Sequence, residues 1–280
     1  MIFQMQEKKY QTHGVELPSG VHTYCDSGDS NHTLMFLHGF SLRQGLYPLM
    51  DILKSHFRVV IPDLPFSSIN DFHLPHRLEN YVVFLLEFVQ QLELENISIF
   101  GNSVGGTLGL LCCMTAPKQF NRLIVRCPLW TFRQLPSYMQ NKPLFNLHNQ
   151  LSNNKRYSKL ALNIFYGVSA RMSPANGNSR RNKSIHPYKY GQINPIVMSQ
   201  FLGHLIQIDI ESQLQTIPND TLILWGGLDS FITSEWGNYL NHILPNSRYL
   251  EMIGEYHNIS TVQTDKLTKI ISVFLEETPV

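Results

Sequence analysis

A single glycine-rich hexapeptide, Gly-Asn-Ser-Val-Gly-Gly at 101–106, constrains the fold of this chain more than any other segment. It follows the apolar run Ile97–Phe100, which predicts a buried strand, and it leads into the small, apolar run Val104–Thr115, which predicts a helix. In that context a G-x-S-x-G pattern forms a tight strand-to-helix turn with Ser103 at its apex. The flanking glycines are needed because larger side chains would collide with neighbouring backbone. The turn therefore presents the Ser103 hydroxyl above the edge of a sheet. A plain glycine-rich turn with a helix-capping Ser is the alternative, and the flanking strand and helix disfavour it.

A Ser hydroxyl needs a base to act as a nucleophile, and the base needs an orienting carboxylate. Both are present downstream. Asp229 follows the apolar run Thr221–Trp225, and His257 follows the weaker strand pattern Arg248–Met252. The carboxyl ends of parallel strands lie at one edge of a sheet, where ligand sites collect. We therefore expect Ser103, Asp229 and His257 to meet there, in the chain order that this chemistry takes on such sheets.

Two other acidic residues compete with Asp229 for the role of the carboxylate. Asp220 precedes its predicted strand, which places it at the opposite end of the sheet. Glu255 is only two residues from His257, and we expect its side chain to be solvated.

A third element, His38-Gly39-Phe40, follows the apolar run Thr33–His38. The tetrahedral intermediate of acyl transfer carries an oxyanion that needs fixed N–H donors. The natural donors are the backbone N–H groups of Phe40 and Val104. We expect His38 to hold the loop backbone by hydrogen bonds and not to carry protons.

Strand patterns alternate with helical patterns along most of the chain, which predicts an α/β fold with a mostly parallel sheet flanked by helices. The predicted strands are Thr33–His38, Phe57–Ile61, Ile97–Phe100, Leu123–Val125, Thr221–Trp225 and Arg248–Met252. The predicted helices are Tyr81–Leu92, Val104–Thr115, Ser234–Leu244 and Thr264–Leu275.

Residues 131–208 interrupt this alternation. Asn146–Tyr166 and Pro195–Ile208 have helical patterns, whereas Met172–Gln192 between them has no regular period. A long irregular stretch inside a compact domain is typical of a lid or binding loop. We therefore predict a core made of residues 1–130 and 209–280, with a mainly helical cap inserted at 131–208.

Together these motifs resemble the α/β-hydrolase superfamily, in its cap-bearing form with an HG-x oxyanion loop. The resemblance rests on HGF, PDLP, GNSVGG, WGGLD and the late His, and it spans nearly the whole chain. It implies an α/β-hydrolase fold with a cap between the sixth and seventh core strands. It also implies Ser103 as the nucleophile, His257 as the base and Asp229 as its partner, with Phe40 and Val104 as oxyanion donors. No cofactor or metal is implied.

The predicted function is that of a serine hydrolase which cleaves a carboxylic ester or thioester through an acyl-enzyme. Asn102 resembles the elbow of carbon–carbon bond hydrolases that act on ring-cleavage products, but those relatives often carry Trp where this chain has Asn258. Hydrolysis of an aminoacyl compound or amide is a further alternative. A non-catalytic ligand-binding protein on the same fold is less favoured. Haloalkane dehalogenases and epoxide hydrolases carry an Asp nucleophile at the elbow, so Ser103 argues against their chemistry.

Asp63 of PDLP is interpreted as structural.

The composition, 43% hydrophobic and 15% charged, excludes a disordered chain. A net charge of +1 gives no reason to expect nucleic-acid binding, but the charge is segregated. The segment 131–208 has no Asp or Glu, and its basic residues are Arg133, Lys142, Lys155, Arg156, Lys159, Arg171, Arg180, Arg181, Lys183 and Lys189. That segment carries +10 and the remainder −9. The charge fits a solvated lid surface, a field that steers an anionic small-molecule acyl substrate, or, less favoured, contact with an anionic membrane surface.

The four cysteines, Cys25, Cys112, Cys113 and Cys127, show no zinc-ligand spacing. Cys112 and Cys113 lie in an apolar helical run, where Cys acts as a small hydrophobe. The N-terminus does not resemble a secretory signal, and no apolar run is long enough to span a bilayer. We therefore expect a cytoplasmic protein. The sequence leaves its oligomeric state open.

Overall fold

The computed structural model describes residues 10–40, 43–67, 70–135, 194–259 and 263–277, together with isolated residues between 140 and 160. Within these residues nine strands form one sheet. The strands are β1 Thr12–Leu17, β2 Gly20–Asp26, β3 Thr33–Leu37, β4 Arg58–Pro62, β5 Asp71–Phe72, β6 Ile97–Asn102, β7 Phe120–Arg126, β8 Asp220–Gly226 and β9 Ser247–Met252. The helices are α1 Tyr47–Leu53, α2 Leu78–Gln91, α3 Val104–Thr115, α4 Pro195–Leu205, α5 Glu211–Leu214, α6 Glu235–Ile243 and α7 Thr264–Glu276.

The sheet order is β1-β2-β4-β3-β6-β7-β8-β9, with β5 paired to β2. All pairs from β4 to β9 are parallel, and those strands include all six that the sequence predicts. Every residue of β3 and β6 is buried, because helices cover both faces of a parallel sheet. The α/β-hydrolase fold and its mostly parallel sheet are confirmed.

The strands β1, β2 and β5 are absent from the sequence prediction. The first two form an antiparallel hairpin at one edge of the sheet, in which exposed and buried residues are mixed. Such strands give no continuous apolar run of the kind that marks the central strands. The short helices α1 and α5 were also not predicted.

Alternate residues of each central strand enter two separate cores. Phe36 and Phe100 pack with α1 and α7 on one face of the sheet. Met35 and Ile99 pack with α2, α3 and α6 on the other face. This two-sided burial fixes the sheet, and it holds the loops at the carboxyl ends of the strands in place.

The interrupting segment begins and ends at one point of the core. Thr131 forms an antiparallel bridge with Asp209, and the N–H of Phe132 donates to the carbonyl of Ile208 at 2.7 Å. This point lies between β7 and β8, the sixth and seventh of the eight long strands described. The helix α4 falls within the helical pattern predicted at its end. The irregular stretch and most of the other predicted helix and of the ten basic residues fall outside the described residues. No helix in the described part of the chain is long and apolar enough to cross a bilayer.

Candidate active site

The strand β6 ends in the predicted tight turn, and α3 begins immediately after Ser103. Ser103 has a φ of 54°, a left-handed conformation that is unusual for a residue with a side chain. A Cβ on Gly105 would lie 1.9 Å from the carbonyl oxygen of Leu37, and a Cβ on Gly101 would lie 2.3 Å from the carbonyl oxygen of Gly105. The backbone of the turn is therefore in direct contact with β3, and only glycine fits at both positions.

The three predicted catalytic side chains meet at the carboxyl edge of the sheet. His257 Nδ1 lies 2.7 Å from Asp229 Oδ2, and His257 Nε2 lies 2.9 Å from Ser103 Oγ. Because an ionised carboxylate only accepts hydrogen bonds, the Nδ1 proton is donated to Asp229. Nε2 of the neutral imidazole is then an acceptor for the Ser103 hydroxyl proton. This is the tautomer that a general base at this position requires.

The loops that carry Asp229 and His257 are hydrogen-bonded to each other. The N–H of Leu228 donates to the carbonyl of Glu255 at 2.8 Å. A Cβ on Gly226 would lie 2.5 Å from the carbonyl oxygen of Tyr256, so this glycine permits the close approach of the two loops. The second carboxylate oxygen of Asp229 accepts from two backbone N–H groups of its own loop, those of Phe231 at 2.9 Å and Ile232 at 3.0 Å. Both oxygens of Asp229 are therefore fixed.

Burial and charge act in opposite directions on this pair. Burial lowers the pKa of His257, but the Asp229 carboxylate and the Cys127 side chain more than offset it and raise the pKa above the ordinary value. Burial raises the pKa of Asp229, but the His257 imidazole and the backbone N–H donors bring it below the ordinary value. The carboxylate thus stays ionised and favours the imidazolium that forms when His257 takes a proton.

The predicted oxyanion loop lies directly against the elbow. A Cβ on Gly39 would lie 3.2 Å from the Cβ of Ser103 and 3.2 Å from the carbonyl oxygen of Asn102, so Gly39 packs on the nucleophile itself. Phe40 follows Gly39 in the chain. Val104 is the first residue of α3, where the backbone N–H has no partner within the helix. Phe40 thus follows a glycine that contacts the elbow, and Val104 follows the predicted nucleophile directly.

His38 is fully engaged by backbone groups. The N–H of Leu64 donates to His38 Nε2 at 3.1 Å, which leaves the proton on Nδ1, and Nδ1 lies 2.8 Å from the carbonyl oxygen of Gly39. Burial lowers the pKa of His38 to about 4, so the ring stays neutral. These contacts agree with the expected structural role of His38 in the loop.

A buried aromatic cluster connects α4 to Phe40 of the predicted oxyanion loop. Phe201 of α4 packs against Phe40 and Phe66, with ring centroids 6.4 Å and 5.6 Å apart, and it stacks on Tyr81 at 4.4 Å. Phe231 lies edge-on to the His257 ring at 5.5 Å. Aromatic rings therefore contact both Phe40, a predicted oxyanion donor, and His257, the predicted base.

Asp220 and Asp63, two other acidic residues singled out in the sequence, have partners of their own. Asp220 is at the start of β8 and contacts Arg248 at 3.3 Å, at the opposite end of the strand from Asp229. Asp63 is buried, forms an ion pair with Arg43 and accepts a 2.6 Å hydrogen bond from Thr23. Both observations agree with the interpretations from the sequence.

The expectation that Glu255 is solvated was wrong. Glu255 is 2% exposed, and its carboxylate lies 3.4 Å from Nη2 of Arg126, whose side chain is fully buried. The prediction failed because it considered only the distance along the chain between Glu255 and His257. The sequence did contain a signal, since Arg126 directly follows the apolar run Leu123–Val125, which predicts a buried strand, and a buried cation needs a partner.

Cys127 was also missed. It has a φ of 47°, and its Sγ lies within 4.8 Å of one ligand atom each of Asp229 and His257. In the described part of the chain, these three residues form the one cluster of three side chains that could hold a metal ion. His257 and Asp229 are already hydrogen-bonded to each other there. The cluster therefore coincides with the proton-transfer site.

A sequence model of the alpha/beta hydrolase fold family matches residues 32–262. The chain belongs to this family.

Individual proteins and solved structures are also similar to this chain over most of its length. The hydrolase YugF of Bacillus subtilis (strain 168) is 21% identical over 270 residues, which cover 92% of this chain and 95% of that protein. The 2-hydroxy-6-oxo-2,4-heptadienoate hydrolase of Pseudomonas putida is 22% identical over 269 residues, with coverage of 92% and 94%. Among solved structures, an esterase from Exiguobacterium antarcticum superposes with a TM-score of 0.76 at 16% identity, covering 94% of this chain and 99% of that one.

Proposed function

We propose that this alpha/beta hydrolase is a serine hydrolase that cleaves a carboxylic ester or thioester through an acyl-enzyme. The observation that carries the proposal is the continuous relay from Ser103 Oγ through His257 to Asp229, with contacts of 2.9 Å and 2.7 Å. A relay of this geometry transfers a proton away from a hydroxyl that attacks a carbonyl carbon.

In the acylation step, Ser103 Oγ attacks the carbonyl carbon while its proton passes to Nε2 of His257. The tetrahedral oxyanion forms between the backbone N–H groups of Phe40 and Val104, at the positive end of the α3 dipole. Asp229 stabilises the imidazolium through Nδ1. The imidazolium then returns the proton to the leaving alkoxide or thiolate, and Ser103 is left acylated.

Deacylation repeats the same proton transfers with water. His257 Nε2 takes a proton from a water molecule that attacks the acyl carbon. The proton is then returned to Ser103 Oγ as the carbon–oxygen bond to the enzyme breaks. The products are the free carboxylic acid and the regenerated hydroxyl, and no cofactor enters the balance.

Two features support a substrate with an apolar acyl group and an anionic part. Phe40 belongs to the predicted oxyanion loop and contacts Phe201, and Phe231 contacts the His257 ring, so we expect these aromatic groups to favour an apolar acyl chain. The inserted segment 131–208, which we propose as the cap, adds ten positive charges and no negative ones. A field of one sign near a site raises the rate of encounter with ligands of the opposite charge. A carboxylate, a phosphate or a coenzyme A thioester meets this description.

The proposal is tested with p-nitrophenyl esters of increasing acyl length, an acyl-coenzyme A and an aminoacyl amide. We expect ester or thioester turnover, with a burst of product equal to the amount of enzyme if deacylation is slower. Ser103→Ala should abolish turnover, whereas Ser212→Ala, an exposed serine on α5, should leave it unchanged. A well-folded wild type that turns over neither esters nor thioesters would refute the proposal.

Carbon–carbon bond hydrolysis is the second candidate. Asn102 in the elbow and the similarity to the Pseudomonas putida hydrolase favour it. However, Asn102 is buried and its Oδ1 accepts from Arg126 at 3.1 Å, so that oxygen is occupied by the protein itself. Turnover of a ring-cleavage dienoate with a kcat/KM above that of every ester and thioester would favour this candidate over the first.

A further inference from the structure

Arg126 lies beneath the candidate site, at the carboxyl end of β7, with its side chain fully buried. Its guanidinium donates to three consecutive carbonyls of the loop that carries His257: those of Tyr256 at 2.7 Å, His257 at 2.5 Å and Asn258 at 3.4 Å. The same group donates to Oδ1 of Asn102, the residue before the nucleophile, at 3.1 Å. One side chain therefore connects the base loop to the nucleophile elbow.

We propose that Arg126 is a positioning residue that sets the distance between Ser103 and His257. The proposal rests on the proposed function. Arg126 touches none of the reacting atoms, so it acts only through the two segments that it holds.

The backbone of Arg126 contributes to the same connection. Its carbonyl accepts the N–H of Ser103 at 2.8 Å, so the nucleophile is anchored to the residue whose side chain anchors the base. Movement of Arg126 would therefore change both ends of the 2.9 Å contact between Ser103 Oγ and His257 Nε2. A misplacement of about 1 Å at a reacting group can cost on the order of 100-fold in rate.

The chemistry of the side chain explains why arginine is needed. A planar guanidinium presents several N–H donors in a fixed fork, which matches carbonyls that converge from two segments. A lysine ammonium is a single point on a flexible stem and does not span the same set of acceptors. Glu255 lies 3.4 Å from Nη2 and neutralises the buried cation, which would otherwise destabilise the fold.

The test compares Arg126→Lys with Arg122→Lys. Arg122 is the matched control, because it is a second buried arginine on β7, at the opposite end of the strand, where it donates to the carbonyls of Phe274 and Glu277. We expect Arg126→Lys to lower kcat by about 100-fold with KM nearly unchanged, and to slow phosphonylation of Ser103 by a fluorophosphonate to the same degree. Arg122→Lys should lower the melting temperature and leave kcat unchanged below it.

The double variant Arg126→Met/Glu255→Met separates positioning from stability. It removes both charges of the buried pair, so its melting temperature should recover relative to Arg126→Met, which leaves Glu255 buried without its partner. Its kcat should stay as low as that of Arg126→Lys, because no guanidinium holds the loop carbonyls. This variant also keeps the test decisive if Arg126→Lys does not fold.

The outcomes are distinguishable. A wild-type protein that neither turns over esters nor reacts with the fluorophosphonate would overturn the proposed function, and this inference with it. A reactive wild type would leave the function standing. In that case, wild-type kcat and phosphonylation rates in folded Arg126→Lys, or recovery of kcat together with melting temperature in the double variant, would show that Arg126 is merely structural and overturn the inference alone.

Discussion

At the scale of single residues, replacing Asp229 by Asn removes the charge of the side chain while nearly keeping its shape. We predict that Asp229→Asn lowers kcat by roughly 10³–10⁴-fold, because an amide does not hold the required imidazole tautomer. The acidic limb of kcat/KM should also move. Asp229 raises the pKa of His257 above the ordinary value of about 6.5, so the wild-type base loses its proton at a higher pH than a free imidazole. Without the carboxylate, burial favours the neutral ring, and the limb should shift to lower pH.

The measurement is kcat/KM between about pH 5 and 10, bracketing the ordinary pKa of histidine. Asp220→Asn, at the other end of β8, is the control and should leave the limb in place. A limb that stays in place in Asp229→Asn would show that Asp229 does not set the pKa of His257.

The residues of the site were predictable from the sequence to different degrees. Ser103, Asp229 and His257 each follow a strand pattern, so topology alone brings them to one edge. The pairing of Arg126 with Glu255 was not predicted, because it depends on a contact between β7 and a loop 129 residues away in the chain. Such contacts leave only an indirect signal, a charge at the end of an apolar run.

At the scale of elements, the turn between β6 and α3 is fixed by its contact with β3. We predict that Gly105→Ala destabilises the protein by about 3 kcal/mol or more, the upper end of the cost of forced backbone shifts, because the new Cβ would lie 1.9 Å from the Leu37 carbonyl oxygen. Gly14→Ala in β1 is the matched control. A Cβ there meets nothing within 4 Å, so its effect should stay within about 1 kcal/mol.

Urea unfolding of both variants measures this difference. Equal stabilities for Gly105→Ala and Gly14→Ala would contradict the tight contact between the turn and β3. Residual esterase activity of folded Gly105→Ala would report how far the turn can shift before Ser103 leaves the relay.

The elements themselves were predictable where burial is two-sided. The strands β3 and β6 read as continuous apolar runs because both of their faces are covered. The hairpin of β1 and β2 mixes buried and exposed residues, so no continuous apolar run indicates its antiparallel pairing. Edge strands are hard to predict from the sequence because they are specified by their partners more than by their own composition.

At the scale of the whole molecule, buried histidines make stability depend on pH. Burial lowers the pKa of His22 and His38 to about 4, so the native state stays neutral where the unfolded chain takes up protons. Stability should therefore fall as the pH drops from about 6.5 to about 4, with each pKa unit of one group corresponding to about 1.4 kcal/mol. The raised pKa of His257 adds no slope in this window, since its contribution is complete below the unfolded pKa.

Urea unfolding at several pH values checks this slope. His22 is packed against the rings of Phe84 and Phe72, with centroids 4.4 Å and 5.8 Å away, so His22→Phe keeps an aromatic ring and removes one titrating group. The variant should flatten the slope only in part, because burial also lowers the pKa values of His38, His32 and His76. An unchanged slope would show that His22 is not the source.

The segregation of charge is also a property of the whole chain, since a net charge of +1 conceals +10 in residues 131–208 and −9 elsewhere. We predict that kcat/KM for an anionic ester falls steeply when the ionic strength rises from about 0.01 M to 1 M, over which the screening length shrinks from about 30 Å to 3 Å. A neutral ester of the same acyl length should respond little. Equal responses would remove steering as the purpose of the basic segment.

Covalent labelling of Ser103 tests the nucleophilic mechanism most directly. Wild type, Ser103→Ala and His257→Ala are treated with a fluorophosphonate, and the adduct is located by mass spectrometry. We predict one adduct per wild-type chain on the peptide that contains Ser103, none on Ser103→Ala, and a strongly slowed reaction in His257→Ala because the base is missing. A folded wild type without an adduct, or with the adduct on another residue, would contradict the assignment of Ser103 as the nucleophile.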